Sequence, residues 1–291
     1  MTVLGTRYRL GSTSYVWPDE ILPNVRQLGP LVDDVELVLF EVGDYSNLPS
    51  AASVRELNTL AHDHDLSYTV HLPQDLSLGR PSSLKEAAKV IASTLDLDPW
   101  AYVLHLDGRV LEPSGDGGGS DGQAKSALTG PSRETLRSWQ DAARSILDKL
   151  AALVGDAQRL CIENLENYAP EHFLPLLQQV PVSLCVDVGH LWLVGGDPLC
   201  FLGDHLARTR VVHLHGIRYR DGQPYDHESL HHLGAEPVIP LLSLLSDAGY
   251  EGVLTLEVFG REDFEASRAQ VAEIMERIYT NHCVEKVDAK R

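Results

Sequence analysis

The chain has 291 residues, is 43% hydrophobic and carries a formal net charge of −18. That length and apolar content suit a folded chain with a real core, while no apolar run approaches the roughly 20 residues of a membrane span. An acidic surface repels a polyphosphate backbone, whose binding depends on Lys and Arg displacing counterions, so neither nucleic acid nor a membrane is the expected partner; a small molecule, or an anion held by a metal, is.

The N-terminus MTVLGTRYRL lacks the charged-then-apolar pattern of a signal peptide, and a cytoplasmic location is expected. From there, short apolar runs alternate with helical patterns. Tyr8–Ser14 reads as a strand and Asp19–Leu28 as the helix after it; Val35–Glu41 is followed by Ser50–His64, and Ser67–Leu72 by Ser83–Leu95. Ala101–Asp107 leads to Arg133–Val154, Arg159–Leu165 to Glu171–Gln179, and Ser183–His190 to Leu199–Ala207. Val211–Gly216 precedes Val238–Ala248, and Gly252–Val258 precedes Asp263–His282. Ser83 with Glu86 has a capping-box pattern, and Pro131-Ser132 opens a long amphipathic run. Eight strands, each followed by a helix, predict a single α/β domain over residues 1–291, a closed (β/α)8 TIM barrel. An open doubly wound sheet would show a Gly-rich turn after its first strand, and GSTS is not GxGxxG. The four cysteines, Cys161, Cys185, Cys200 and Cys283, form no CxxC pair; Cys161 and Cys185 fall in predicted buried strands and read as reduced core thiols. Glu112–Pro131 is rich in Gly and Ser with little to bury, so it reads as a flexible loop after the fourth strand, either a tolerated insertion or a lid over a bulky substrate.

The ends of the strands carry the chemistry. The third ends in TVHLP with His71, the fourth in VLHLDG with His105, and the fifth in CIENL with Glu163. The sixth gives CVDVGH with Asp187 and His190, the seventh VVHLHG with His213 and His215, and its loop Asp226 and His227; the eighth gives LTLEVF with Glu257. In a (β/α)8 barrel these ends converge on one mouth. Residues two apart share a side of a strand, so Val103, Cys161, Cys185, Val211 and Thr255 fill the layer below while the polar residue above each faces inward. Burying so many unpaired carboxylates and imidazoles together is very unfavourable. Divalent cations remove that penalty, and a His/carboxylate set without thiolates suits zinc, with manganese or iron as alternatives. Nine plausible ligands at these strand ends exceed the capacity of one ion, so two or three ions are expected, bridged by Glu163 or Glu257. A clustered centre lowers the pKa of water to neutrality and clamps both oxygens of an in-line displacement, which is phosphoester hydrolysis. Glu163 and Glu257 are the candidates for holding the nucleophilic water.

A lone buried histidine is more often a satisfied core residue than a ligand; the joint pattern at successive strand ends reverses that. His62 and His64 in AHDHD close a predicted helix and read as solvated. His231 and His232 approach a helix and at most support a ligand. His215 shares the inward parity of His213 and is either a ligand or a substrate contact. Arg109, Arg218 and Arg220 lie just past strand ends, where they either grip a phosphate or serve as ordinary loop charges. Glu41 and Tyr45, after the second strand, are candidates for the pocket lining.

TVHLP, VLHLDG, IENL, VDVGH, HLHG, the later DH and LEV resemble the strand ends of the xylose-isomerase-like barrel superfamily, and within it the endonuclease IV branch. That resemblance covers nearly the whole chain and implies three zinc ions on His71, His105, Glu163, Asp187, His190, His213, Asp226, His227 and Glu257. The DNA-repair enzymes read Asp-x-His in the loop where this chain has adjacent Asp226-His227, which leaves His231 as the alternative for the last imidazole. The opening GSTSYVWPDEILPNVRQLGPLVDDVELVLFE, with HLP and DVGH, is most similar to the cobamide-remodelling phosphodiesterases of the CbiR type. This implies hydrolysis of the nucleotide-loop phosphoester of a cobamide, giving cobinamide phosphate and an α-ribazole-type nucleoside. Three other functions compete. A sugar isomerase or epimerase needs only Glu163, Asp187, His213 and Glu257 for one metal. An abasic-site endonuclease conflicts with the net charge, and a non-catalytic corrinoid or metal carrier conflicts with an intact ligand set.

Overall fold

The computed structural model describes residues 6–42, 45–73, 76–77, 81–111 and 130–288. Eight parallel strands close on themselves: β1 (Arg9–Thr13), β2 (Asp34–Val38), β3 (Ser67–His71), β4 (Ala101–Leu104), β5 (Leu160–Glu163), β6 (Ser183–Asp187), β7 (Thr209–Leu214) and β8 (Val253–Leu256). β8 pairs with both β7 and β1, which completes the predicted (β/α)8 barrel. Around it run α1 (Ile21–Leu28), α2 (Ala51–His64), α3 (Pro81–Thr94), α4 (Arg133–Val154), α5 (Val188–Leu193), α6 (Pro198–His205), α7 (Ile239–Asp247) and α8 (Arg261–Asp288). Ser50 and Ser132 start α2 and α4 by accepting the Ser53 and Thr135 N–H groups, each at 3.1 Å. Among the described residues no helix is long and apolar enough to cross a membrane.

Four local expectations are corrected. The run Ser183–His190 breaks at Asp187, whose carboxylate accepts the His190 N–H at 2.6 Å and caps α5, so His190 sits on a helical turn rather than a strand end. Glu171–Gln179 forms no α-helix but two 3-10 segments, Pro170–His172 and Leu174–Gln178, because Pro175 cannot donate to a helical ladder. The Ser83–Glu86 box does not form: α3 begins at Pro81, and the Ser83 hydroxyl instead accepts the Ser77 N–H at 3.0 Å. Val35–Glu41 stops pairing in the barrel at Val38, and Glu41–Val42 forms a small hairpin with Tyr45–Ser46. Most of the predicted Glu112–Pro131 loop, residues 112–129, lies outside the described residues.

The main apolar core fills the space between barrel and helices, with Val25, Leu57, Leu147 and Phe264 fully enclosed. The barrel interior has two halves. Ala101, Val103, Cys161, Cys185 and Val211, from β4 to β7, make a small apolar half. Asp34, Glu36, Thr69 and Thr255, from β2, β3 and β8, make a buried polar half. Burial pushes the Asp34 carboxyl up to about 7 even though the Ser67 hydroxyl donates to it at 2.5 Å. Burial likewise raises the Cys161 thiol to about 12 and the Cys185 thiol well above its ordinary value, and both cysteines are free.

Candidate metal centre

At the C-terminal rim the side-chain alternation works as the spacing predicts. Val103, Cys161, Cys185 and Val211 fill the interior, and His105, Glu163, Asp187 and His213 stand one layer above them. The side chains meet in three adjoining groups whose ligand atoms lie within 4.8 Å of one another: His71, His105 and Glu163; Glu163, Asp187, His213 and Glu257; and His190, His215 and His227. Glu163 belongs to the first two. Its Oε2 is 3.0 Å from His105 Nε2 and 3.4 Å from His71 Nε2, while its Oε1 is 3.4 Å from His213 Nδ1. His213 Nδ1 also faces Glu257 Oε2 at 3.1 Å and Asp187 Oδ2 at 3.8 Å.

These residues fit divalent cations on a direct observation. Glu163 Oε1, Asp187 Oδ2, His213 Nδ1, His215 Nε2 and Glu257 Oε2 are all buried without a hydrogen-bond partner. Native proteins leave very few such atoms unsatisfied, and here five of them converge on one rim. The electrostatics agree. Burial alone would raise the Glu163 carboxyl, but the His105 and His213 imidazoles more than reverse this and hold it well below the usual carboxylate range. Glu257 behaves likewise against His213 and His227. Burial would depress His213, yet Cys185 and the Glu257, Glu36 and Glu163 carboxylates keep it well above its ordinary value. His190 is raised against its own burial by Asp187 and Glu163.

Over this rim lies a pocket of about 770 Å³. One wall is apolar and aromatic, with Tyr15, Phe40, Leu72 and Phe259; the rest carries Glu41, Glu86, Glu166 and Asp226 beside the histidines. Among the described lining residues there is no Lys or Arg.

Residues 22–280 match the family model described as the xylose isomerase-like TIM barrel. The chain belongs to this family. No curated protein sequence matches it. Among solved structures, it resembles a D-tagatose 3-epimerase-like protein, with a TM-score of 0.71 at 18% identity over 94% of this chain and 99% of that one. It also resembles an L-ribulose 3-epimerase (TM-score 0.62, 14% identity, 95% and 97% covered). A third is a Thermus thermophilus protein, TTHB071, soaked with ZnCl2 (TM-score 0.57, 23% identity, 92% and 98% covered). At these identities the likeness shows the shared fold.

Within this xylose isomerase-like barrel the sequence-predicted residues divide clearly. His71, His105, Glu163, Asp187, His190, His213, His215, His227 and Glu257 come together at the rim. Asp226 lines the pocket, with Oδ2 3.9 Å from His227 Nε2. His227 rather than His231 lies with His190 and His215; the ring of His231 is turned to the Ser229 hydroxyl at 2.9 Å and lies tilted against His232. His62 and His64 are exposed at the end of α2. The three arginines stand away from the pocket. Arg109 is bound to Asp107 at 2.6 Å, Arg220 to Glu228 at 2.6 Å, and Arg218 is exposed on the hairpin of Gly216–Arg220 with Gln223–Glu228. Glu41 lines the pocket and is paired with Lys89 at 2.5 Å; Tyr45 is half-exposed and packs on Phe40.

Two residues at the site escaped the sequence reading. Asn164 clamps the ends of β5 and β6: its Nδ2 donates to the Asp187 carbonyl at 2.8 Å and its Oδ1 accepts the Asp187 N–H at 2.9 Å. Its position directly after Glu163 was the available signal. Glu36, on β2, reaches across the barrel to His213. The sequence offered only its alternation with Asp34 and Val38, on a strand that ends in no ligand.

Proposed function

We propose that this protein is a metal-dependent phosphodiesterase that hydrolyses the nucleotide-loop phosphoester of a cobamide to a cobinamide phosphate and an α-ribazole-type nucleoside. The observation that carries the hydrolase reading is the sharing of Glu163 between two ligand groups with a third group of histidines alongside. A centre for a single ion needs neither His71 and His105 nor the His190–His215–His227 group. Two or three divalent ions, zinc foremost, supply Lewis acidity toward the phosphate oxygens and a nucleophilic water at neutral pH.

The chain's own residues then have defined tasks. His71, His105 and Glu163 would hold one ion; Glu163, Asp187, His213 and Glu257 a second; His190, His215 and His227, with Asp226 beside them, a third. Glu163 and Glu257 keep their charge at neutral pH because the imidazoles hold their carboxyls low, so they accept hydrogen bonds from the attacking water and orient it. Among the described residues no Lys or Arg lines the pocket, so within them the ions, when bound, would be the groups that face a phosphate. The aromatic wall of Tyr15, Phe40 and Phe259 receives the organic bulk of the substrate and excludes water from that side. The cobamide itself rests on the resemblance of the opening segment and the strand-end motifs to cobamide-remodelling phosphodiesterases.

A second reading has its own observation. Glu163, Asp187, His213 and Glu257 alone make a four-residue centre for one ion, and two structures of similar fold are named as a D-tagatose 3-epimerase-like protein and an L-ribulose 3-epimerase. A sugar isomerase or epimerase would use that centre only. Elemental analysis of the purified protein beside incubation with adenosylcobalamin and chromatography separates the two. Two or three metals per chain with release of a cobinamide phosphate is the expected result. One metal per chain and no corrinoid cleavage would favour the sugar reading, and ketose substrates would be assayed next.

A further inference from the structure

Glu36 belongs to no ligand group, yet it is fully buried in the barrel interior. Its Oε2 lies 3.0 Å from His213 Nε2 across the barrel, and its other oxygen, Oε1, has no hydrogen-bond partner. A carboxylate sealed inside a protein with one partner is unfavourable for folding, and an apolar side chain would fill the space at lower cost. The other half of the interior is filled in that way, by Val103 and Val211. What Glu36 does have is one face of the imidazole whose opposite nitrogen, Nδ1, is orphaned among Glu163, Asp187 and Glu257.

A neutral imidazole has a single proton. With Glu36 accepting it from Nε2, the lone pair on Nδ1 points at the four-residue group. We infer that Glu36 is a positioning residue: it fixes the tautomer and ring orientation of His213 and strengthens Nδ1 as a metal ligand. The inference rests on the reading that His213 ligates an ion, and it holds for both the phosphodiesterase and the epimerase. At His71, by contrast, Nδ1 turns to the Leu72 carbonyl at 2.8 Å, a neutral acceptor that orients the ring without placing a negative charge behind it.

The test uses the full chain, stripped with a chelator and titrated with zinc against a chromophoric competitor, for wild type, Glu36→Gln and Glu36→Leu. Partners of this kind are worth about 10–100-fold in metal affinity. Glu36→Gln keeps an acceptor without the charge and should weaken one ion by about tenfold; Glu36→Leu should weaken the same ion by about a hundredfold, with the remaining ions unaffected. Cobalt(II) loading supplies a second readout, because the visible bands of that one ion should shift in both variants. A purely structural role would lower the melting temperature and leave affinity and bands in place. Nitrogen-15 NMR of the zinc-loaded wild type, which needs no variant to fold, should show His213 with its proton on Nε2. Zinc affinity equal in wild type and Glu36→Gln, or an Nδ1–H tautomer in the zinc-loaded wild type, overturns the inference while the metal reading stands. A wild type that binds no ion overturns both.

Discussion

Glu163→Gln tests whether one carboxylate serves two ions. The side chain is fully buried, and its two oxygens face different partners: Oε2 faces His71 and His105, Oε1 faces His213. The substitution keeps the shape and removes the charge. An ion facing either oxygen would lose a buried opposite charge, a loss of about 3 kcal/mol, so roughly a hundredfold in affinity is expected for each ion that Glu163 faces. The prediction is in the stoichiometry. After dialysis against buffered zinc, elemental analysis of Glu163→Gln should show two ions lost together, whereas His105→Ala should lose one. Phosphodiester turnover should fall below detection in both. If Glu163→Gln keeps its full metal complement, or loses the same single ion as His105→Ala, the sharing of Glu163 is wrong, and the three-group description with it.

Four further outcomes follow from other parts of the molecule. Asp34 is raised to about 7 in the fold, so between about pH 4 and pH 7 the folded chain holds a proton that the unfolded chain has released. Stability should therefore fall as pH rises through that window, by up to about 4 kcal/mol, and Asp34→Asn should flatten the melting-temperature profile from pH 4 to pH 8; an unchanged profile would dismiss the buried acid. His213 and His190 are held up by neighbouring carboxylates, so ions must displace protons from the stripped protein. Calorimetry in buffers of different ionisation enthalpy should detect protons released on zinc binding near pH 7, with affinity weakening as pH falls; zero release would contradict the assignment. Gly189→Ala would place a methyl 2.0 Å from the His215 ring, forcing it off Asp187 and the His227 N–H. A loss of about 1–3 kcal/mol in stability and of one ion is expected, read by thermal melting and elemental analysis. Phe40→Ala and Phe259→Ala should raise KM at least several-fold with little change in metal content if the aromatic wall receives substrate; an unchanged KM would move the binding surface elsewhere.

The barrel was legible because its evidence repeats: eight apolar runs with eight helical patterns between them leave few alternatives, and a mistaken boundary at Asp187 or Val38 does not disturb closure. The rim was legible for a related reason. A ligand at the end of a strand declares itself by alternation, as Cys161 does for Glu163 and Val211 for His213. What stayed hidden depends on relations between strands. Glu36 meets His213 only because β2 and β7 face each other across a closed barrel, and nothing within either strand encodes that distance. The pairing of Arg109 with Asp107, two residues earlier, was likewise not written in the strand-end pattern. The same distinction bears on function. The residue types along the rim exceed what one ion needs, but Glu163, Asp187, His213 and Glu257 alone suffice for an epimerase-type centre. It is the placement of His71 and His105 against the far oxygen of Glu163, with His190, His215 and His227 on the other flank, that the proposed multinuclear hydrolase needs and a single-ion centre does not.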